Sequence, residues 1–357
     1  MDMSQLEKSY YSTLIRSMSE LLEMKPWLAL ESTDIFAVRD PNGEELLFIQ
    51  ISGGDGEPFE LMAYRGAKGL EMLWELNNCE NNAFVADQCV DVPALFCTFV
   101  SADELDNKDR EVMEDVEAQF SDAAFPVFRS CCPGYQPSHL TEQDVFLMMQ
   151  VVRQTCEVVR MVNEGILDFN VEEGQEDSYI LRKPVQTDDG VVWENDRIDM
   201  NLDDKLPRKI PKLKRVELSV LKELPLGEKE LRMDLMVSPF VSHDENEDTP
   251  STFLFTVTDY QTGDLVCARV EEPGAKLQKF RDSLLQTFQE ILLHLGERPK
   301  AIHIESYALC DVLGDVLGKL DMELAHHELP APRQAEMDAV LKHLSTRFTR
   351  QPGKIFF

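Results

Sequence analysis

LRMDLMVSPFV (231–241), TFLFTVTD (252–259) and DLVCARV (264–270) are three apolar, β-rich runs in succession, and the rest of the chain is read outward from them. LQKFRDSLLQTFQEILLHL (277–295) follows, with apolar side chains at Leu277, Phe280, Leu284, Leu285, Phe288, Ile291, Leu292 and Leu295. That spacing is a helix with one face made for burial, and Gly296 and Pro299 stop it. AIHIE (301–305) then predicts a short buried strand, LCDVLGDVLGKL (309–320) a helix, MELAHHE (322–328) a strand and RQAEMDAVLKHLSTRF (333–348) a last helix. The order is β-β-β-α-β-α-β-α. Strand–helix–strand connections favour a sheet that is parallel in part and covered by helices.

Upstream the pattern changes. Leu6, Tyr10, Leu14, Ile15, Met18, Leu21 and Leu22 predict an amphipathic helix over residues 3–24, ended at Lys25-Pro26. A meander follows: Ile35–Arg39 turns at Asp40-Pro41-Asn42-Gly43 into Leu46–Ser52, which turns at Gly53-Gly54-Asp55-Gly56 into Phe59–Tyr64. Both turns hold the residues that tight reversals need. A phosphate loop would need a helix N-terminus straight after its glycines, and a strand follows here. A helix is expected at Leu70–Leu76, a buried strand at Val90–Val100 and a charged helix at Ala102–Phe120. Thr141, with Glu142 and Asp144 in the first turn, caps a long helix over Val145–Val162 that ends near Gly165.

From Asp168 to Asp204 the composition turns acidic, with a hairpin expected from Tyr179–Pro184 and Val191–Trp193 around Asp188-Asp189-Gly190. KLPRKIPKLKR (205–215) reverses the sign and reads as a linker. The reading therefore places an α+β domain, an antiparallel meander with helices, over 1–165. An acidic hairpin segment and basic linker occupy 166–215, and an α/β domain occupies 216–357.

The 357 residues carry a net charge of -31, which repels polyanions and makes nucleic acid or an anionic membrane a poor partner. No run of eighteen apolar residues is present, and the first helix lacks the basic leader and small-residue cleavage site of a secretion signal. The chain is expected in the cytoplasm, with its eight cysteines reduced. None forms a C-x-x-C pair or a zinc-spaced Cys/His cluster.

The meander, the charged helix and FPVFRSCCPGYQPSHLTEQD (125–144) resemble the first domain of a bacterial two-domain family of unknown function, and residues 230–348 resemble its second. Within the FPVFRSCCPGYQP stretch (125–137), Arg129 and Tyr135 are the candidate binding residues, with Arg129 read chiefly as an anchor to nearby carbonyls or a carboxylate.

The C-terminal order also resembles the RNase H-like fold. In nucleases and integrases of that topology, acids on the first strand, the fourth strand and the last helix converge on divalent metals. Here those positions hold Asp234, Glu305 and Glu336, or Asp338. The resemblance implies Mg or Mn as cofactor, because two such ions roughly 4 Å apart clamp the attacking and leaving oxygens of a phosphodiester and take hard oxygen ligands. Against catalysis, 66 residues are Asp or Glu, so the coincidence is cheap. Glu305 is also a methylene longer than the usual strand Asp, and no basic groove is in view. The expectation is a non-enzymatic cytoplasmic binding or adaptor protein with a protein partner and no cofactor. The alternative is the metal-dependent phosphodiester hydrolase. A third reading is an acidic decoy for a nucleic-acid-binding protein.

Overall fold

The meander begins at Phe36, followed by Ala37 and Val38, all three buried. The computed structural model describes residues 5–43, 45–54, 57–77, 92–116, 125–170, 177–188, 190–200, 211–237, 249–304, 306–326 and 354–356. They fall into two units. Met1–Glu75, Val92–Cys132 and Pro137–Leu206 form the first, and Leu76–Asp91, Pro133–Gln136 and Pro207–Phe357 the second.

In the first unit β1 (Phe36–Arg39), β2 (Leu46–Gly54) and β3 (Glu57–Arg65) pair antiparallel in chain order. β4 (Ala94–Val100) and β5 (Phe125–Cys131) extend the sheet beyond β3, and β6 (Ser178–Thr187) and β7 (Gly190–Asp199) extend it beyond β1. The order is β5-β4-β3-β2-β1-β6-β7. All pairs are antiparallel except β1–β6, which is parallel and so needs the long helical connection that precedes β6. The hairpin was expected between the domains. It belongs to this sheet because Ile180 pairs with Phe36 and is buried with it, and that apolar start outweighs the acidic residues around it.

Helices α1 (Gln5–Glu23) and α4 (Glu142–Asn163) cover one face. Leu14, Met18 and Leu21 of α1 and Met148, Val152 and Val159 of α4 share a core with Phe36, Ile49 and Leu61 of the sheet. Thr141 caps α4 as its spacing predicts: its hydroxyl accepts from Asp144 N–H (3.2 Å), and the Asp144 carboxylate reaches back to the cap. Arg65 on β3 fixes this end of α4, pairing with Asp144 at 3.0 Å and with Glu45 at 3.1 Å. On the opposite face lies α2 (Gly66–Asn77), where Trp74 Nε1–H donates to the Tyr179 hydroxyl (2.8 Å). The helix α3 (Asn107–Val116) follows β4.

The second unit holds a six-stranded sheet, ordered β12-β11-β8-β9-β10-β13. β8 (Glu230–Val237), β9 (Phe253–Asp259) and β10 (Leu265–Glu271) form an antiparallel meander. β11 (Ala301–Ile304) runs parallel to β8, and β12 (Glu323–His326) parallel to β11. β13 (Lys354–Phe356), which the sequence reading did not foresee, pairs with β10. Helix α6 (Leu277–Leu295) spans the expected residues and ends at Gly296, whose φ of 68° is the left-handed cap a glycine supplies without strain. With α7 (Tyr307–Lys319) it buries Leu284, Phe288, Leu313 and Leu317 against Leu231, Met233 and Phe255 of the sheet. A short helix, α5 (Arg215–Glu223), starts where the basic stretch was read as linker to its end, because Leu218 and Leu221 give it an inward side. The expected last helix, Arg333–Phe348, lies outside the described residues.

Each sheet mixes parallel and antiparallel pairs and is covered by helices, so both units are of mixed α and β type. Among the described residues no helix is long and apolar enough to cross a membrane, and no disulfide forms.

Candidate functional site

Strand alternation decides which side chains of β8 can do chemistry. Leu231, Met233 and Leu235 enter the core under α6 and α7, so Glu230, Arg232 and Asp234 face the other way. Asp234 is thus removed from the helix-packed side, but its carboxylate is engaged: Oδ2 accepts from Arg232 Nε at 2.7 Å, and the two side chains are only 14% and 12% exposed. Two residues apart on one strand face, the pair is local and needs no partner element.

β11 adds to the same face. His303 stands beside Arg232 in the parallel register, and its Nε2 lies 3.0 Å from Glu230 Oε2. Its ring stacks on Tyr260, centroids 3.6 Å apart and planes at 4°. Tyr260 is fixed in turn by its N–H donating to Glu230 O (2.9 Å). The sequence pointed to Asp234, but Glu230, Tyr260 and His303 come together only through the strand register, since the group joins residues 230, 260 and 303. Glu305, Glu336 and Asp338 lie outside the described residues, so Asp234 is the one proposed metal ligand whose surroundings can be stated.

The first unit holds a second polar group. Arg129, on β5, forms a two-point pair with Asp109, through Nη1–Oδ1 at 2.8 Å and Nη2–Oδ2 at 2.6 Å. It also donates to Asp106 Oδ2 at 3.1 Å and to Phe128 O at 2.9 Å. His139 closes the group, its Nε2 2.9 Å from Asp106 Oδ2 and its Nδ1 3.5 Å from Arg129 Nη1. Burial acts against the Arg129 charge, but the Asp109 hydrogen bonds and the two carboxylates outweigh it and hold its pKa above the ordinary value. Burial alone would raise the Asp106 carboxyl. The Asp109 backbone N–H, His139 and Arg129 outweigh it and keep the group below its usual range. For His139, burial and the neighbouring guanidinium prevail over the two carboxylates and push the imidazole down.

Asp106, Asp109 and His139 could offer ligand atoms within 4.8 Å of one another. The Arg129 guanidinium already lies among them, so a divalent cation would have to displace a cation bound at two points to Asp109. As a metal centre the group does not fit. It ties α3 to β5. Tyr135, the other candidate binding residue, is placed in the second unit, where its hydroxyl accepts the Ala275 N–H at 3.1 Å and its backbone bridges Pro250.

Residues 11–182 match the family model of a domain of unknown function (DUF7309), and residues 217–338 that of a second domain of unknown function (DUF6930). The chain is a tandem of these two domains. No curated protein matches it. The DUF7309 match takes in the Arg129 group, and the DUF6930 match takes in the Glu230–Asp234 strip with His303. β7 and the distal half of β6 lie between the two matched stretches.

Proposed function

We propose that this chain is a non-enzymatic binding or adaptor protein of the bacterial cytoplasm that works through a protein partner and requires no cofactor. The observation that carries the reading is the Arg232–Asp234 pair. A carboxylate that is to hold Mg²⁺ or Mn²⁺ must turn its oxygens to the ion. Here a guanidinium 2.7 Å away supplies the positive charge and adds repulsion toward any metal at the same place.

We also read the second unit as RNase H-like in order. Support comes from the antiparallel run β8–β9–β10, then α6, β11 parallel to β8, α7, and β12 parallel to β11. On this reading the carboxylate positions of the fold are present in degenerate form.

The test is single-turnover hydrolysis of single- and double-stranded nucleic acid and of nucleotides, with millimolar Mg²⁺ or Mn²⁺, by the wild type and Asp234→Ala. Neither protein should turn over substrate, and neither should gain thermal stability from the ion. A metal held at about 100 times its dissociation constant would add roughly 2.7 kcal/mol to the native state. Hydrolysis by the wild type that disappears in Asp234→Ala would instead establish the metal-dependent hydrolase.

A further inference from the structure

Sheet edges carry unpaired backbone groups, and proteins blunt them with short strands, prolines, charges or covering chain. Among the described residues, three of the four edges are blunted. β12 and β13 are four and three residues long. β5 contains Pro126, which has no N–H, and the returning chain meets it, with Ser130 N–H to Ser138 O at 2.8 Å and Ser138 N–H to Ser130 O at 2.9 Å.

β7 differs in length and in lacking a proline, though it carries Glu194, Asp196, Arg197 and Asp199. It is ten residues long, pairs with β6 at every position from Gly190 to Asp199 without a register shift, and contains no proline. Met200 N–H donates to Asp177 O at 2.8 Å. Antiparallel alternation then turns the N–H groups of Ile198, Asp196, Glu194 and Val192 toward β6, and those of Arg197, Asn195, Trp193 and Val191 outward. Asp196 Oδ1 takes the Arg197 N–H at 2.9 Å. Among the described residues no strand pairs with the outward groups of Val191, Trp193 and Asn195. β1 pairs with β6 only from Ile180 to Arg182, so the hairpin runs past it as a two-stranded arm. On that arm Val191 is 53% and Val192 44% exposed.

We propose that the outer edge of β7 over Val191–Asn195 is a strand-addition site for an extended segment of a partner protein in which basic and apolar residues alternate. The inference deepens the binding-protein reading and rests on it. Alternation on β7 dictates the partner's alternation. Val191, Trp193 and Asn195 share one face of the strand, where Trp193 packs in part on the core of its unit, and Val192, Glu194 and Asp196 share the other, with Asp196 already paired to Lys183 at 2.5 Å. A strand laid alongside therefore meets Val191 and Trp193 on one face, and Val192 and the Glu194 carboxylate on the other. The strand holds three acids, Glu194, Asp196 and Asp199, against one base, Arg197, in a chain of net charge -31. A second copy would bring the same carboxylates to this edge, so a basic segment of another protein is the occupant the charges favour. Main-chain hydrogen bonds supply the affinity of such additions, and the alternating side chains supply the selectivity.

The probe is a blocked decapeptide of alternating valine and lysine, titrated into the full chain by calorimetry and by tryptophan fluorescence. A second pair of peptides carries N-methyl groups at every second residue, in the two possible phases, with the charge unchanged. The parent peptide should bind, and at least one methylated phase should bind about tenfold more weakly or worse, the scale of a lost main-chain hydrogen bond. Val191→Pro removes an outward N–H and no bond to β6, and should weaken the parent peptide by about tenfold. Glu194→Lys should weaken it by about fivefold at low salt. If Val191→Pro does not fold, the methylated peptides on the wild type decide alone. No binding of the parent up to about 1 mM, or both methylated phases within about twofold of it, overturns the proposal. Absent peptide binding with absent hydrolysis removes the edge site and leaves the non-enzymatic reading. Hydrolysis with peptide binding intact removes that reading and leaves the edge site.

Discussion

His139 stands between a carboxylate and a guanidinium, and that position fixes its preferred protonation state. A neutral ring can donate from Nε2 to Asp106 Oδ2 at 2.9 Å and turn its Nδ1 lone pair to the Arg129 N–H at 3.5 Å, a tautomer assigned from these partners. Protonation would set an Nδ1–H against the guanidinium. The depressed pKa of His139 follows from burial first and from Arg129 second. A group whose pKa is lower folded than unfolded contributes stability above its unfolded value, about 6.5 for histidine, and loses it as pH falls toward the folded value. Asp106 is depressed too, but its contribution is lost only below about pH 4. His139→Gln keeps a donor for Asp106 and cannot titrate. Urea unfolding at pH 7.5 and pH 5.5 should therefore show the wild type losing more stability than His139→Gln on acidification. Equal losses would mean that the imidazole is not held neutral. Arg129 could be singled out from sequence as an anchor, but its partners could not, because Asp106 and Asp109 lie some twenty positions upstream across a turn of the sheet.

At the scale of elements, two helical glycines separate propensity from packing. In α2, a Cβ on Gly69 would lie 2.8 Å from Tyr64 C and 3.2 Å from Pro93 O, both backbone atoms. The helix packs there so closely that only hydrogen fits. In α7, a Cβ on Gly314 would meet Leu324 Cδ2 at 3.8 Å, an ordinary contact. Alanine gains up to about 1 kcal/mol over glycine in either helix. Gly314→Ala should therefore stabilise its unit by about 0.5–1 kcal/mol, whereas Gly69→Ala should cost about 1–3 kcal/mol, because overpacking against backbone exceeds the propensity gain. Urea midpoints of the two variants should move in opposite directions. A stabilised Gly69→Ala would show that α2 can lift off the sheet. The same contrast explains what the sequence revealed of the elements. α1, α4 and α6 were legible because each repeats an apolar face over several turns. β5 was not assigned, because its proline, arginine, cysteine and two aromatics carry no clean period of two. Nor was α5 foreseen, since its nine residues follow basic, proline-broken chain.

Across the whole molecule, what was illegible was pairing. Composition drew a boundary near residue 165 because the acids begin there, yet the sheet continues through β6, where Tyr179, Ile180, Leu181 and Arg182 are buried and Ile180–Arg182 pair with β1. The Glu230–His303–Tyr260 group was hidden for the same reason: only strand register brings it together. Net charge, by contrast, could be read at once, and it leads to a prediction for the entire chain. With 66 acids against 35 bases, 31 carboxylates are in excess of any one-to-one pairing and repel their neighbours. At about 0.01 M ionic strength these repulsions reach roughly 30 Å, and above about 0.1 M they fade within roughly 10 Å. The pairs that salt could also weaken include several little exposed ones, Arg232–Asp234 and Arg129–Asp109 among them, which screening reaches less. Screening should thus remove more repulsion than attraction. The unfolding temperature should rise by about 3–6 °C between about 0.01 and 0.3 M NaCl. A flat or falling profile would mean that the acids are distributed so that pairing, not repulsion, dominates the folded surface. A basic partner at β7 would then lack the electrostatic attraction that favours it over a second copy of the chain.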